Sequence, residues 1–113
     1  MEMERNIKKS INSYLKKLPG AKFIPYGSIF GEAGTADIIG CIKGCMILIE
    51  VKEDKRRESK LQKARRIEWT AAGALWFTVH SVKELKAEFS KNKLQEERKC
   101  LLKKRMVPRT TEQ

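Results

Sequence analysis

ADIIGCIKGCMILIEVK, residues 36 to 52, reads as two β-branched-rich runs, 36–42 and 45–52, separated by Lys43-Gly44. Two such runs with a two-residue link ending in glycine mark a β-hairpin with a tight turn. Ile42 then pairs with Cys45, and the numbers of every cross-strand pair total 87. Asp37 falls directly opposite Glu50. Opposed residues share a face, with Cβ atoms roughly 4.5–5.5 Å apart. The rest of that face, Ile39 opposite Leu48 and Cys41 opposite Met46, is apolar. Two carboxylates facing each other beside an apolar layer repel, and each resists losing its water. A shared proton or a divalent cation would compensate them. Strand period two puts Lys52 on the face of Glu50, about 7 Å further along, and the glycine-rich stretch Gly31 to Gly34 lies at the strand mouth. All-oxygen donors select hard cations, so Mg2+ or Mn2+ is implied and zinc is not. A Glu-Lys surface pair at a strand end is the alternative reading.

Outward from the hairpin, the charged connector EDKRRE leads to Ser59, which opens a helix of about 13 residues ending at Gly73. Residues 74 to 80 (ALWFTVH) form a buried strand, and Ser81-x-x-Glu84 is a capping box opening a charged helix. Strand, helix, strand from 45 to 80 is a βαβ unit, so its strands are expected to be parallel with a right-handed crossover. Upstream, Ile7, Ile11, Leu15 and Leu18 recur at helical spacing over residues 4 to 18, ended by Pro19-Gly20. KFIPY then suits an edge strand because of Pro25. The expected order is αβββαβα, a mixed α/β sheet with helices on both faces.

Length and charge narrow the class. The chain has 113 residues, 41% hydrophobic and 35% charged, enough for one compact core. Its 25 basic and 14 acidic residues leave a net charge of +11, which favours a polyanionic partner such as nucleic acid. Apolar runs are far shorter than the roughly 20 residues that span a bilayer, and the N-terminus lacks the apolar stretch of a signal peptide. A soluble, cytoplasmic protein is expected. Three cysteines do not make a disulfide scaffold here, so Cys41, Cys45 and Cys100 are expected as reduced thiols used in packing. A lone His80 at the end of an apolar run reads as a satisfied polar residue. Residues 1–90 form the expected domain, and 91–113 a basic extension with 8 basic and 3 acidic residues, a net +5. That extension is open to three readings: a solvated helix, a nucleic-acid arm or a dimer element.

Gly34-Thr-Ala-Asp37, then Ile49-Glu50-Val51-Lys52, then Ser59-x-x-Gln62 resembles the PD-(D/E)XK nuclease signature, and more narrowly its VRR-NUC branch, with G-x-P-D, E-x-K and S-x-x-Q. The resemblance runs from about residue 2 to 86. Ala36 stands where the family usually has proline, a residue that shapes the approach to the strand and ligates nothing. A restriction-endonuclease-like core is implied. So are Asp37 and Glu50 as metal ligands with the Val51 carbonyl, Lys52 as the residue that orients water or stabilises a non-bridging oxygen, and Gln62 as an active-site residue. Ser59-x-x-Gln62 is also a capping box, which explains Gln62 nearly as well. A helix-one glutamate that approaches the metal in the family maps onto Glu4; Glu2 is its rival, and a first-turn acid favoured by the helix dipole is the plain alternative.

The implied activity is metal-dependent, structure-specific DNA endonuclease chemistry with Mg2+ or Mn2+, resembling a Holliday-junction resolvase that works as a homodimer. Lys55, Arg56, Arg57, Lys60, Lys63, Arg65 and Arg66 are expected to hold backbone phosphates, which position a duplex without reading bases. A flap or nicking repair nuclease is the alternative within enzymes, and a catalytically silent nucleic-acid-binding module is the alternative outside them. A small stand-alone domain of this kind suggests a phage or bacterial origin.

Overall fold

The computed structural model describes residues 4–26, 31–53 and 58–92, with Glu4 described in its backbone alone. Within these residues the elements are α1 (Glu4–Lys16), β1 (Ala21–Pro25), β2 (Ile38–Ile42), β3 (Cys45–Val51), α2 (Lys60–Ala71), β4 (Leu75–Val79) and α3 (Val82–Lys91). This is the expected αβββαβα order, and the four strands form one mixed sheet ordered β1-β2-β3-β4. Lys43 and Gly44 both have positive φ, 46° and 92°, as a type I′ hairpin turn requires. The register follows: Ile42 pairs with Cys45 and Ile38 with Ile49. β1 is the antiparallel edge strand and ends at Pro25. β4 runs parallel to β3, reached through α2.

The sheet's two faces are covered unequally. On one, Ile38, Ile42, Ile47, Ile49, Val51, Phe77 and Val79 pack against Ile7, Ile11 and Leu15 of α1 and Leu85 and Phe89 of α3. Phe89 meets Phe77 edge-on at 5.6 Å between ring centres. The other face is thin: Leu48 packs with Ala36, Ala74 and the partly buried Ile39, Met46, Trp69 and Trp76. α2 covers it without burying any residue completely. The helix turns Gln62 and Trp69 inward, while Leu61 and Ile67 are 43% and 52% exposed.

The cysteines depart from expectation. Cys41 is free but exposed, so it does not serve packing. Cys45 is buried as expected, yet it is disulfide-bonded rather than a reduced thiol. The capping box at α3 is also altered. Ser81 accepts from Glu84 N–H at 3.1 Å, but the Glu84 carboxylate reaches one residue further back, accepting from His80 N–H at 2.7 Å and lying 3.0 Å from His80 Nδ1. His80 is thereby a satisfied polar residue. The basic extension beyond Asn92 lies outside the described residues.

Gly40 in the middle of β2 has no room for a side chain. A Cβ there would run into the Lys22 carbonyl and the Phe23 ring of β1. Backbone on a paired strand cannot step aside as a flexible side chain can, so Gly40→Ala is expected to destabilise by about 3 kcal/mol. In a domain of this size that lowers Tm by more than about 10 °C. Thermal denaturation within 2 °C of the parent, on the order of 0.5 kcal/mol, would contradict this packing.

Candidate active site

The hairpin register brings the two carboxylates together. Asp37 directly precedes β2, and its carbonyl accepts from Tyr26 N–H at 2.7 Å, so the chain there still follows β1. The next step beyond the Ile38–Ile49 pair is Asp37 with Glu50. Asp37 is half-buried and its Oδ2 accepts from the Val51 amide at 2.8 Å. That bond holds the carboxylate over the end of β3. Val51 thus enters the site through its N–H.

Glu50 sits deeper, only 5% exposed, beside Lys52 at 9%. Gln62 links them. Its Nε2 donates to Glu50 Oε2 at 2.6 Å, and its Oε1 accepts from Lys52 Nζ at 3.0 Å. Lys52 Nζ also lies 3.3 Å from Glu50 Oε2. The same Oε1 accepts from Ser59 N–H at 3.1 Å, while Gln62 N–H donates to Ser59 Oγ at 3.0 Å. The capping reading of Gln62 is therefore met, and the same side chain also reaches the carboxylate pair: Oε1 serves both the α2 cap and Lys52, while Nε2 holds Glu50. Gly34 lets the helix approach, because its φ of 83° and the Leu61 side chain against it leave no place for a Cβ.

One oxygen of the site is left over. Glu50 Oε1 is buried with no hydrogen-bond partner. Such a group is costly unless something binds it. Burial first, then the Asp37 charge, push the Glu50 carboxyl up to about 7, against the opposing pull of Lys52 and Gln62. A site that favours a proton near neutrality also favours a cation in its place. Two carboxylates are the oxygen donors that a hard divalent ion takes. Among the described residues no group of three or more His, Cys, Asp or Glu side chains gathers. The Glu4 side chain and Glu2 lie outside the described residues, although α1 begins at Glu4.

The basic residues divide. Lys60 and Lys63 are exposed on α2. Arg66 forks onto Glu58 at 2.8 and 3.0 Å, and Arg65 donates from Nε to the Ala33 carbonyl at 2.9 Å, tying the glycine-rich loop to α2. Both arginines are engaged in holding the site's frame. Lys55, Arg56 and Arg57 lie outside the described residues. Sequence reasoning missed Lys8, whose Nζ lies 3.3 Å from Asp37 Oδ1. Its only signal is its place one turn after Glu4 on α1.

Below pH 4.5 Glu50 is protonated in both folded and unfolded chains; between 4.5 and about 7 only the unfolded chain has lost its proton. Stability of the ion-free protein therefore falls as pH rises through that window, by up to about 3 kcal/mol. Urea denaturation with chelator at pH 5 and pH 8 should show the fall in the parent and not in Glu50→Gln; parallel pH curves would refute it. Gln62→Glu separates the two duties of this side chain. A glutamate can still accept from Ser59 N–H, so α2 keeps its cap, but it turns a donor to Glu50 into a third carboxylate. Helix content should be kept while the stability loss with pH becomes steeper; an unchanged pH profile would contradict the Gln62–Glu50 bond.

Compared with solved structures, the chain matches a VRR-NUC domain with a TM-score of 0.64 and 21% sequence identity, over 78% of this chain and 94% of that one. No protein-family model matches the sequence, and no curated protein matches it. At this identity the likeness is one of architecture: the chain has the restriction-endonuclease-like fold of a VRR-NUC domain.

Proposed function

We propose that the protein is a metal-dependent DNA endonuclease selective for branched structure, resembling a Holliday-junction resolvase. The observation that carries this reading is the buried Glu50 carboxylate with a partnerless Oε1, set opposite Asp37 on a nuclease-type fold. A phosphodiester is an anion with a poor leaving group, so its hydrolysis needs positive charge and an activated water. A divalent ion such as Mg2+ or Mn2+ supplies both when bound, as Lewis acid and by acidifying water. Asp37 and Glu50 would hold it, with the Val51 carbonyl and Glu4 as further ligands. Lys52, kept beside Glu50 by Gln62, presents its ammonium to the attacking water or to a non-bridging oxygen. The net charge of +11 supports a polyanionic substrate, gripped by Lys60 and Lys63 together with Lys55, Arg56 and Arg57. Two symmetric cuts across a junction need two such sites, and each chain has one, so the working unit is a homodimer.

The test is incubation of the purified protein with four-way junction, flap, single-stranded and linear duplex DNA, each with and without Mg2+ or Mn2+. Metal-dependent cleavage favouring the junction is expected, with light scattering giving twice the 13.0 kDa chain mass. Asp37→Asn and Glu50→Gln should each lower cleavage at least about a hundredfold while DNA binding persists. Preferred cutting of the flap would replace the resolvase reading with repair nicking. Binding of every substrate with no cleavage under either metal would mark a silent binding module.

A further inference from the structure

Lys8 belongs to α1, which covers the opposite face of the sheet from α2, yet its ammonium reaches round the strand ends to Asp37 Oδ1 at 3.3 Å. The two carboxylates are thus each matched to one lysine from different elements: Asp37 to Lys8, and Glu50 to Lys52 at the same 3.3 Å. The two lysines are not equivalent. Lys52 is 11% exposed in its side chain and is held by Gln62, whereas the Lys8 side chain is 36% exposed and Asp37 23%. The Lys8–Asp37 pair is partly exposed, and ion pairs at such positions contribute little, so one cation can be exchanged for another there at modest cost. Asp37 Oδ2 stays on the Val51 amide, so the oxygen that Lys8 covers is the one open to another cation.

We infer that Lys8 is a further residue of the site: a resident counter-charge that a divalent cation displaces from Asp37, and that then turns to the substrate phosphate. The inference rests on the metal-site reading above. Displacement would be favourable because Asp37 and Glu50 could both serve a doubly charged ion, while an ammonium brings a single charge to Asp37. The released ammonium remains tethered to α1, a different element from the strand end that carries Lys52. A substrate phosphate at the carboxylate pair would then meet cations from two elements, Lys8 of α1 and Lys52 after β3. Lys52 serves the inner position and Lys8 the outer.

Calorimetric titration of the DNA-free protein with Mn2+ tests the displacement without reference to activity. In Lys8→Met, which keeps the apolar stem and removes the charge, Mn2+ should bind roughly threefold tighter or more, because the competing cation is gone. Lys8→Arg, still charged, should bind Mn2+ like the parent. At saturating Mn2+, single-turnover cleavage by Lys8→Met should be slower by about tenfold, with Lys8→Arg retaining most of the rate. Unchanged or weaker Mn2+ affinity in Lys8→Met, with thermal stability kept, overturns the counter-charge role; an unchanged cleavage rate overturns the phosphate role. Asp37→Asn tells the two levels apart. If it binds Mn2+ as the parent does, the ion is not held at Asp37 and the metal-site reading falls with this one. If it loses binding while Lys8→Met matches the parent, the role of Lys8 alone is overturned.

Discussion

Two like charges held face to face are the constraint around which the rest of the site is arranged. Asp37 and Glu50 are brought together by hairpin register, and the register is set by one turn with two left-handed residues, Lys43 and Gly44. Slipping the pairing by one residue would send every side chain of β2 to the other face of the sheet. The core on the α1 side, with Ile38 and Ile42 fully buried, forbids that slip. Hydrophobic burial on one face thus enforces electrostatic repulsion on the other. The surrounding groups then read as responses to that repulsion: an amide on Asp37, a glutamine on Glu50, a lysine on each.

Much of this was legible in the residues. Lys43-Gly44 specifies the turn chemically, so the pairing could be counted outward from it as far as Asp37. Ser59 and Gly73 bracket α2 through the ordinary chemistry of caps. The inward face of α2 is harder. Its regular apolar stripe points to Leu61, Ala64, Ile67 and Ala71, yet the helix turns Gln62 and Trp69 toward the sheet. Below it lies a carboxylate pair rather than a purely apolar layer, and a polar site recruits a polar stripe. Periodicity reports which residues share a face, not which face the fold has use for.

Other features depend on distance in space alone. Lys8 is one of several lysines on an amphipathic helix, and only its place one turn after Glu4 separates it from Lys9 or Lys16. Arg66 looks like one more phosphate-gripping cation until Glu58 is seen in its fork. Counting cysteines gives an odd number and suggests free thiols, but parity says nothing about whether one pair can meet. For Lys8 and Arg66 the deciding partner is on another element or another turn, and such pairings are set by tertiary packing.

The unequal cover of the sheet has a consequence for motion. Asp37 and Glu50 ride on strands braced by the deep core, so their mutual geometry is tied to global unfolding. Gln62 rides on α2, which buries no residue completely and is held by Trp69, the Gly34–Leu61 contact, Arg65 on Ala33 and the cap at Ser59. Local opening of such a helix costs far less than opening the sheet. The carboxylate half of the site is therefore rigid, while the half that steadies Lys52 can breathe. If the proposed nuclease reading holds, the compliance lies in the layer that a bulky, stiff duplex would otherwise find in its way.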